Sequence, residues 1–198
     1  MRLVFWVLGG LGVLAVGTVG TWWYSTRNIE TPDYRVVSRA GDLEIRDYPA
    51  LNVAEVVTAG DRGEAVRAGF RPLARYIFAR ERPGEKIAMT APVTQEPAES
   101  GGWRVRFIMP QGYALADLPR PADADVRLVR TEPQRMAAVR FSGGWDDDRF
   151  RAQEERLRRW IAERGLEVTS PPTYAYYDDP FTPGFLRRNE VLLGVAGD

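Results

Sequence analysis

An α+β domain, one curved antiparallel sheet with helices packed on it and an apolar segment ahead of it, is predicted by three features of the sequence. The chain of 198 residues matches itself when slid by 84 positions. Each copy of the matching unit reads strand, strand, helix, strand. Ahead of both copies, Leu3 to Tyr24 runs for 22 residues without a charge.

The self-match is densest between Arg46 and Arg80, where ten of 35 positions equal their partners. Chance at this composition would produce roughly two or three. Shared Ala and Arg content does not explain Pro49/Pro133, Gly60/Gly144, Leu73/Leu157 and Ile77/Ile161 falling in one register. A duplicated unit does.

In the first copy, Asp42 to Tyr48 and Leu51 to Thr58 carry strand-forming residues on either side of Pro49-Ala50. Gly60-Asp61-Arg62-Gly63 ends the alternation. A helix follows, with Val66, Phe70, Leu73 and Ile77 at i, i+4, i+7 and i+11 on its apolar stripe. Pro72 falls inside it and predicts a kink. Lys86 to Val93 is an apolar extended run, and Pro92 disfavours helix at Ala91, which suits an edge strand or a strand end. Trp103 to Met109 reads as a further strand.

In the second copy the strands are Val126 to Arg130 and Met136 to Ser142. Gly143-Gly144 leads into a helix over Asp147 to Arg164, with Phe150, Leu157, Trp160 and Ile161 on one face and Gly165 as its stop. Asp146-Asp147-Asp148 sits where carboxylates cap a helix and complement its dipole, a simpler reading than a metal site. Glu154/Arg158 and Glu155/Arg159 are oriented as i, i+4 ion pairs of a solvated face. Tyr174 to Tyr177 and Glu190 to Val195 complete the strands.

Apolar residues make up 44% and charged residues 27%, values of a chain that buries a core. The 27 basic and 27 acidic residues cancel, which gives no electrostatic case for nucleic acid. Cysteine and histidine are absent. Serine-histidine triads, cysteine nucleophiles, disulfides and the usual zinc and non-heme iron sites are thereby excluded. Carboxylate, tyrosine, lysine or cofactor chemistry is what remains, and the balance leans toward a binding protein rather than an enzyme. Were there catalysis, it would need a buried Glu or Tyr such as Glu55 or Tyr76.

As a helix, the uncharged run would span about 33 Å against a hydrocarbon core of about 30 Å. Trp22, Trp23 and Tyr24 then stand where an interfacial aromatic belt is expected. A signal peptide is the competing reading, with only Ala15-Val16-Gly17 near a cleavage pattern. The expected organisation is a membrane anchor or uncleaved signal segment over 1–26, a linker over 27–33 and a folded domain over 34–195. Arg2 and the terminal amine favour a cytoplasmic N-terminus, with the domain outside an inner membrane, periplasmic in a bacterium.

Two segments carry a family resemblance. Lys86-Ile87-Ala88-Met89-Thr90-Ala91-Pro92-Val93 resembles the signature of the SOUL heme-binding proteins, and Asp179-Pro180-Phe181 through Arg187-Arg188-Asn189-Glu190-Val191 resembles their closing segment. The resemblance spans roughly Thr31 to Val195. It implies a pseudo-two-fold domain whose distorted, barrel-like sheet is flanked by two helices. It also implies reversible binding of heme or another flat tetrapyrrole in a shallow apolar cleft beside the first helix, as a carrier or buffer.

Carried over residue by residue, the resemblance puts Arg67 and Arg75 where basic residues face the propionates, with Phe70 and Ala74 between them as the apolar floor and Arg71 as a further ligand-binding candidate. It brings Phe181 and Phe185 close from their Pro- and Gly-rich loop. Phe70 also lies on the core stripe, so burial is its competing role. Thr182 stands near a place where some members carry a basic residue. Without histidine, heme would have no strong axial protein ligand; Met89 is the weak candidate, and buried methionines ordinarily fill core gaps. The alternatives are an effector-type small-molecule module of the related duplicated fold, favoured by an acidic residue in an aromatic pocket, or a scaffold without a ligand.

Overall fold

In the computed structural model, which describes residues 29–196, nine strands and two long helices follow one another along the chain. They are β1 (Arg35–Ala40), β2 (Leu43–Tyr48), β3 (Asn52–Thr58), α1 (Arg62–Ile77), β4 (Val93–Pro97), β5 (Trp103–Ile108), β6 (Arg127–Arg130), β7 (Gln134–Phe141), α2 (Asp147–Ala162), β8 (Thr173–Tyr176) and β9 (Asn189–Gly194). All nine strands join one antiparallel sheet in the order β1-β2-β7-β9-β8-β4-β5-β3-β6. Exchanging the strands of the two copies leaves the order from β2 to β6 unchanged when read backwards. Each copy therefore lends its first strand to the half built by the other.

Chain connectivity forces the sheet to curl. Six inter-strand spacings separate β2 from β3, and six separate β6 from β7. Laid flat, each pair would stand about 29 Å apart at the usual strand spacing. Three residues join each pair, and such a link reaches at most about 14 Å. Only a strongly curved sheet brings both pairs within reach. Among the described residues β1 and β6 remain unpaired edges, so the barrel is open.

Both helices cover the convex face. Ala54, Val56, Val105 and Phe107 point to α1 and pack with Leu73, Tyr76 and Ile77. Ala137, Val139, Val191 and Leu193 point to α2 and pack with Phe150, Leu157, Trp160 and Ile161. The self-match aligns Ala54 with Ala138, but these two face opposite sides of the sheet: Ala138 packs with Tyr48, Met136 and Leu192 on the concave face. Ala137 occupies the place equivalent to Ala54. Packing has slipped by one residue relative to sequence identity, and in a strand one residue exchanges the faces.

Both helices begin on a carboxylate cap. Asp61 accepts from Glu64 N at 2.7 Å and Asp146 from Arg149 N at 2.9 Å, so the acidic run opening α2 serves the helix start. Glu154 pairs with Arg158 at 2.7 Å. Glu155 and Arg159 form no ion pair among the described residues. α2 runs to Ala162 and is stopped at Gly165 as predicted: at φ +67° its N–H donates to the Ala162 carbonyl at 3.0 Å, while Leu166 N donates to the Ile161 carbonyl at 3.3 Å.

Several expectations are corrected by tertiary context. α1 runs through Pro72 without interruption; the acceptor left without its donor is the carbonyl of exposed Ala68, where water can serve it. Phe70, placed on the core stripe by periodicity, is 39% exposed. Gly69 takes the core position instead. Its missing side chain lets α1 lie directly on β5: a Cβ there would stand 2.7 Å from Val105 Cβ and Cγ2. Gly69→Ala is expected to destabilise by about 1–3 kcal/mol through overpacking, despite the better helix propensity of alanine. A urea unfolding curve measures it, and a stabilised variant would show that helix and strand can separate freely.

The Lys86–Val93 run is largely irregular and enters β4 only at Val93, while β1 and β4 themselves carry no clear sequence signal. The membrane or signal segment expected over residues 1–26 lies outside the described residues. Within those described, no helix is long and apolar enough to cross a membrane.

Candidate functional site

The outward face of α1 presents two adjacent rows. Arg67, Arg71 and Arg75 recur every fourth residue and are exposed. Beside them run Phe70, exposed, and Ala74, half-buried. Helical geometry spaces Arg67 from Arg75 by about 12 Å along the axis. The Phe70 ring is held edge-on by buried Phe107, with centroids 5.1 Å apart and planes at 64°, which anchors one edge and leaves the ring otherwise open.

Charge compensation differs along the basic row. Arg75 reaches Glu81 at 3.3 Å and Asp123 at 3.8 Å. Arg67 and Arg71 form no ion pair among the described residues. Two uncompensated guanidinium groups thus flank an exposed aromatic ring on one helix face. The surface is open: the hollow between Pro72, Arg75, Tyr76 and Arg82 measures about 10 Å³, room for a single water. A flat ligand would lie on this face rather than enter a slot.

Phe181 and Phe185 belong to the loop between β8 and β9, where they are 89% and 78% exposed. Local bonds hold that loop rigidly. Asp179 Oδ1 accepts from Phe181 N and Thr182 N, while Arg187 donates to the carbonyls of Thr182 and Pro180, both at 2.7 Å. Thr182 itself is buried. The loop docks at the N-terminal end of α1 through Trp145. Arg187 lies 4.4 Å over the Trp145 ring, and Arg62 of α1 donates to the Trp145 carbonyl at 2.9 Å. Five of the predicted residues therefore share the helix face, and the two loop phenylalanines make no hydrogen bond or ring contact to α1 among the described residues.

Met89 is half-buried against the cluster around Phe107 and Met109, which gives it a packing role. Tyr76 is buried and donates to the Pro119 carbonyl at 2.9 Å; burial pushes its phenol above the ordinary value, so it stays protonated and is not available as a base. Glu55 accepts from Arg106 Nε at 2.8 Å and so holds an ion pair.

A larger hollow lies on the concave face, where sequence reasoning placed nothing. It measures about 410 Å³ and draws lining side chains from eight strands or their ends, among them Tyr48, Val53, Thr94, Arg106, Val129, Met136, Thr173 and Leu192. Its one trace in the sequence is the alternation Arg104-Val105-Arg106-Phe107, whose charged positions face the hollow while the apolar ones face α1.

Comparison with known proteins adds family and fold. The profile of the family described as SOUL heme-binding protein matches residues 29–194. Human Heme-binding protein 2 is 37% identical, the match covering 83% of this chain and 85% of the relative. The mouse Heme-binding protein 2 is 29% identical over the same shares. Among solved structures, the EcmrR C-terminal domain superposes with a TM-score of 0.58 at 14% identity, covering 83% of this chain and 99% of that one. A hydrolase from Listeria innocua gives 0.54 at 14% identity, covering 81% and 94%. At that identity the structural likeness speaks for the fold alone.

Proposed function

Because this chain belongs to the SOUL heme-binding protein family, we propose that it binds heme or a related tetrapyrrole dicarboxylate reversibly, on the outward face of α1. The observation that carries the reading is Phe70, exposed between Arg67 and Arg71, neither of which forms an ion pair among the described residues. An apolar macrocycle stacks on the ring and on Ala74, and its carboxylates meet the guanidinium groups, which can pair with them bidentately. Arg75, shared with Glu81 and Asp123, contributes less. Phe181 and Phe185 enter this reading only as contacts that family membership suggests. Iron would lack a strong protein ligand here, which suits a carrier or buffer rather than a redox centre. The reading is of a binding protein, not an enzyme.

The same reading keeps the domain tethered to an inner membrane by residues 3–24, on the extracytoplasmic side. The uncharged run, its Trp-Trp-Tyr end and the preceding Arg2 support that placement.

A hemin titration of the full-length chain tests the site. Wild type is expected to bind one equivalent saturably. Reversing both charges, Arg67→Glu with Arg71→Glu, should weaken binding at least about tenfold, since charge-assisted hydrogen bonds contribute about 1.5–3 kcal/mol each. Lysine at both positions should keep most of the affinity. Affinity indifferent to the reversal would move the site away from α1.

A further inference from the structure

We propose that the tip of the β8–β9 loop, Pro180 to Leu186, dips into the surface of a lipid bilayer, a contact that rests on the tethering of the domain through residues 3–24. Phe181, Phe185 and Leu186 are the most exposed large apolar side chains among the described residues, each at least 60% exposed against 45% for the next, Val57. No residue of the tip is charged, and its only polar side chain, Thr182, is buried.

A loop that enters lipid has to satisfy its own backbone, because no water is there to do so. Asp179 Oδ1 accepts from the N–H groups of Phe181 and Thr182, and the Pro183 carbonyl accepts from Leu186 N at 2.9 Å. Arg187 donates to the Pro180 and Thr182 carbonyls, and Gly143 N donates to the Gly184 carbonyl at 2.9 Å. Pro180 and Pro183 have no N–H to satisfy. The neighbouring charges are engaged as well: Asp178 accepts from Arg188 N at 2.6 Å, and Arg188 holds Glu190 at 2.8 Å. Interfaces between proteins ring an apolar centre with polar groups that pair across it. Here those groups are already paired within the domain, which favours lipid over a protein partner.

The loop also starts from the side at which the chain enters the domain. The Arg46 guanidinium lies 4.4 Å over the ring of Tyr34, the residue before β1, and pairs with Glu190 at 2.6 Å. Arg188, two residues beyond the tip, pairs with the same Glu190. The entry point and the base of the loop thus meet around one buried ion pair. Ten residues separate Tyr24 from Tyr34, and they reach at most about 36 Å. A bilayer that holds residues 3–24 is therefore within reach of the loop, and phenylalanine and leucine suit the boundary between headgroups and acyl chains.

The chain has no cysteine, so Phe181→Cys creates a single attachment point for an environment-sensitive nitrobenzoxadiazole label. The labelled full-length chain is reconstituted into phosphatidylcholine vesicles containing a lipid spin-labelled high on its acyl chain. Quenching should be about three- to tenfold stronger than for a label on Ala124→Cys, exposed beside Asp123 at the opposite end of α1 from Trp145. Adding Phe185→Asp with Leu186→Asp, both at exposed positions, should bring the Phe181→Cys label down to the Ala124→Cys level. An alkaline wash of the vesicles reads the tether separately. A quenched label on a chain that alkali extracts would keep the loop in lipid and overturn the tether alone. Equal quenching at the two positions would overturn the loop contact, whether or not alkali extracts the chain. A blue-shifted label without quenching would mean that protein covers the loop, and would overturn the bilayer as its partner.

Discussion

Replacing Glu190 with glutamine is expected to lower stability by about 3–5 kcal/mol, the usual cost of removing one partner from a buried ion pair. Glu190 is fully buried and Arg46 is 2% exposed, and they meet through two hydrogen bonds of 2.6 and 3.1 Å. Arg188 reaches the same carboxylate at 2.8 Å, and Glu44 takes Arg46 Nε at 2.6 Å. Glutamine keeps the shape but leaves Arg46 buried with only Glu44 to balance it. Urea unfolding at neutral pH measures the loss. A double variant, Arg46→Met with Glu190→Leu, should recover only part of it, because it removes the buried pair but leaves Glu44 without Arg46, and Arg188 and the Tyr177 hydroxyl without Glu190. A single variant as stable as wild type would show that water already reaches the pair.

The same network predicts a pH dependence. Burial alone would raise the Glu190 carboxyl, but hydrogen bonds and charge from Arg46, with Arg188, outweigh it and hold the group below its ordinary 4.5. A depressed carboxyl stabilises the fold above its unfolded value and loses that contribution as pH falls through its folded value. The stability gap between wild type and Glu190→Gln should therefore be full at neutral pH and narrow below about pH 4. A gap that stays constant down to pH 3 would assign the effect to packing.

Phe150→Ala should cost about 3–5 kcal/mol. Phe150 is 1% exposed and touches Phe141, Tyr174 and Tyr176 with ring centroids 5.0, 5.5 and 5.5 Å away. The Arg62 guanidinium lies 4.3 Å from its centre. Truncation opens a cavity and withdraws the aromatic face from a buried cation, while Arg62 keeps Asp147 at 2.8 Å and Tyr176 at 2.6 Å. Phe150→Leu, which refills most of the space, should lose clearly less. Equal losses in the two variants would mean that the ring geometry, rather than the volume, holds the helix starts together.

Helix α2 was readable in advance because Phe150, Leu157, Trp160 and Ile161 repeat at helical spacing and each is buried where that spacing puts it. Helix α1 was harder. Its apolar stripe includes Phe70, and only the contact of Gly69 with Val105 shows that the helix is turned so that the phenylalanine faces out. That rotation makes the candidate site: the same side chain turned inward would be core, and Arg67 and Arg71 would flank nothing. The loop carrying Phe181 and Phe185 was visible from its Pro and Gly content, but its docking on Trp145 joins residues distant in sequence and leaves no local pattern.

Both helices, seven of the nine strands, the duplication and the family were legible in the chain alone, because hydrophobic period, turn residues and matched segments are local properties. The curl of the sheet, the rotation of α1 and the concave hollow were decided only in the tertiary structure. Each depends on which distant strands become neighbours and on which face of a strand a residue falls, and a slip of one residue, as between Ala54 and Ala138, reverses that face while sequence identity stays the same.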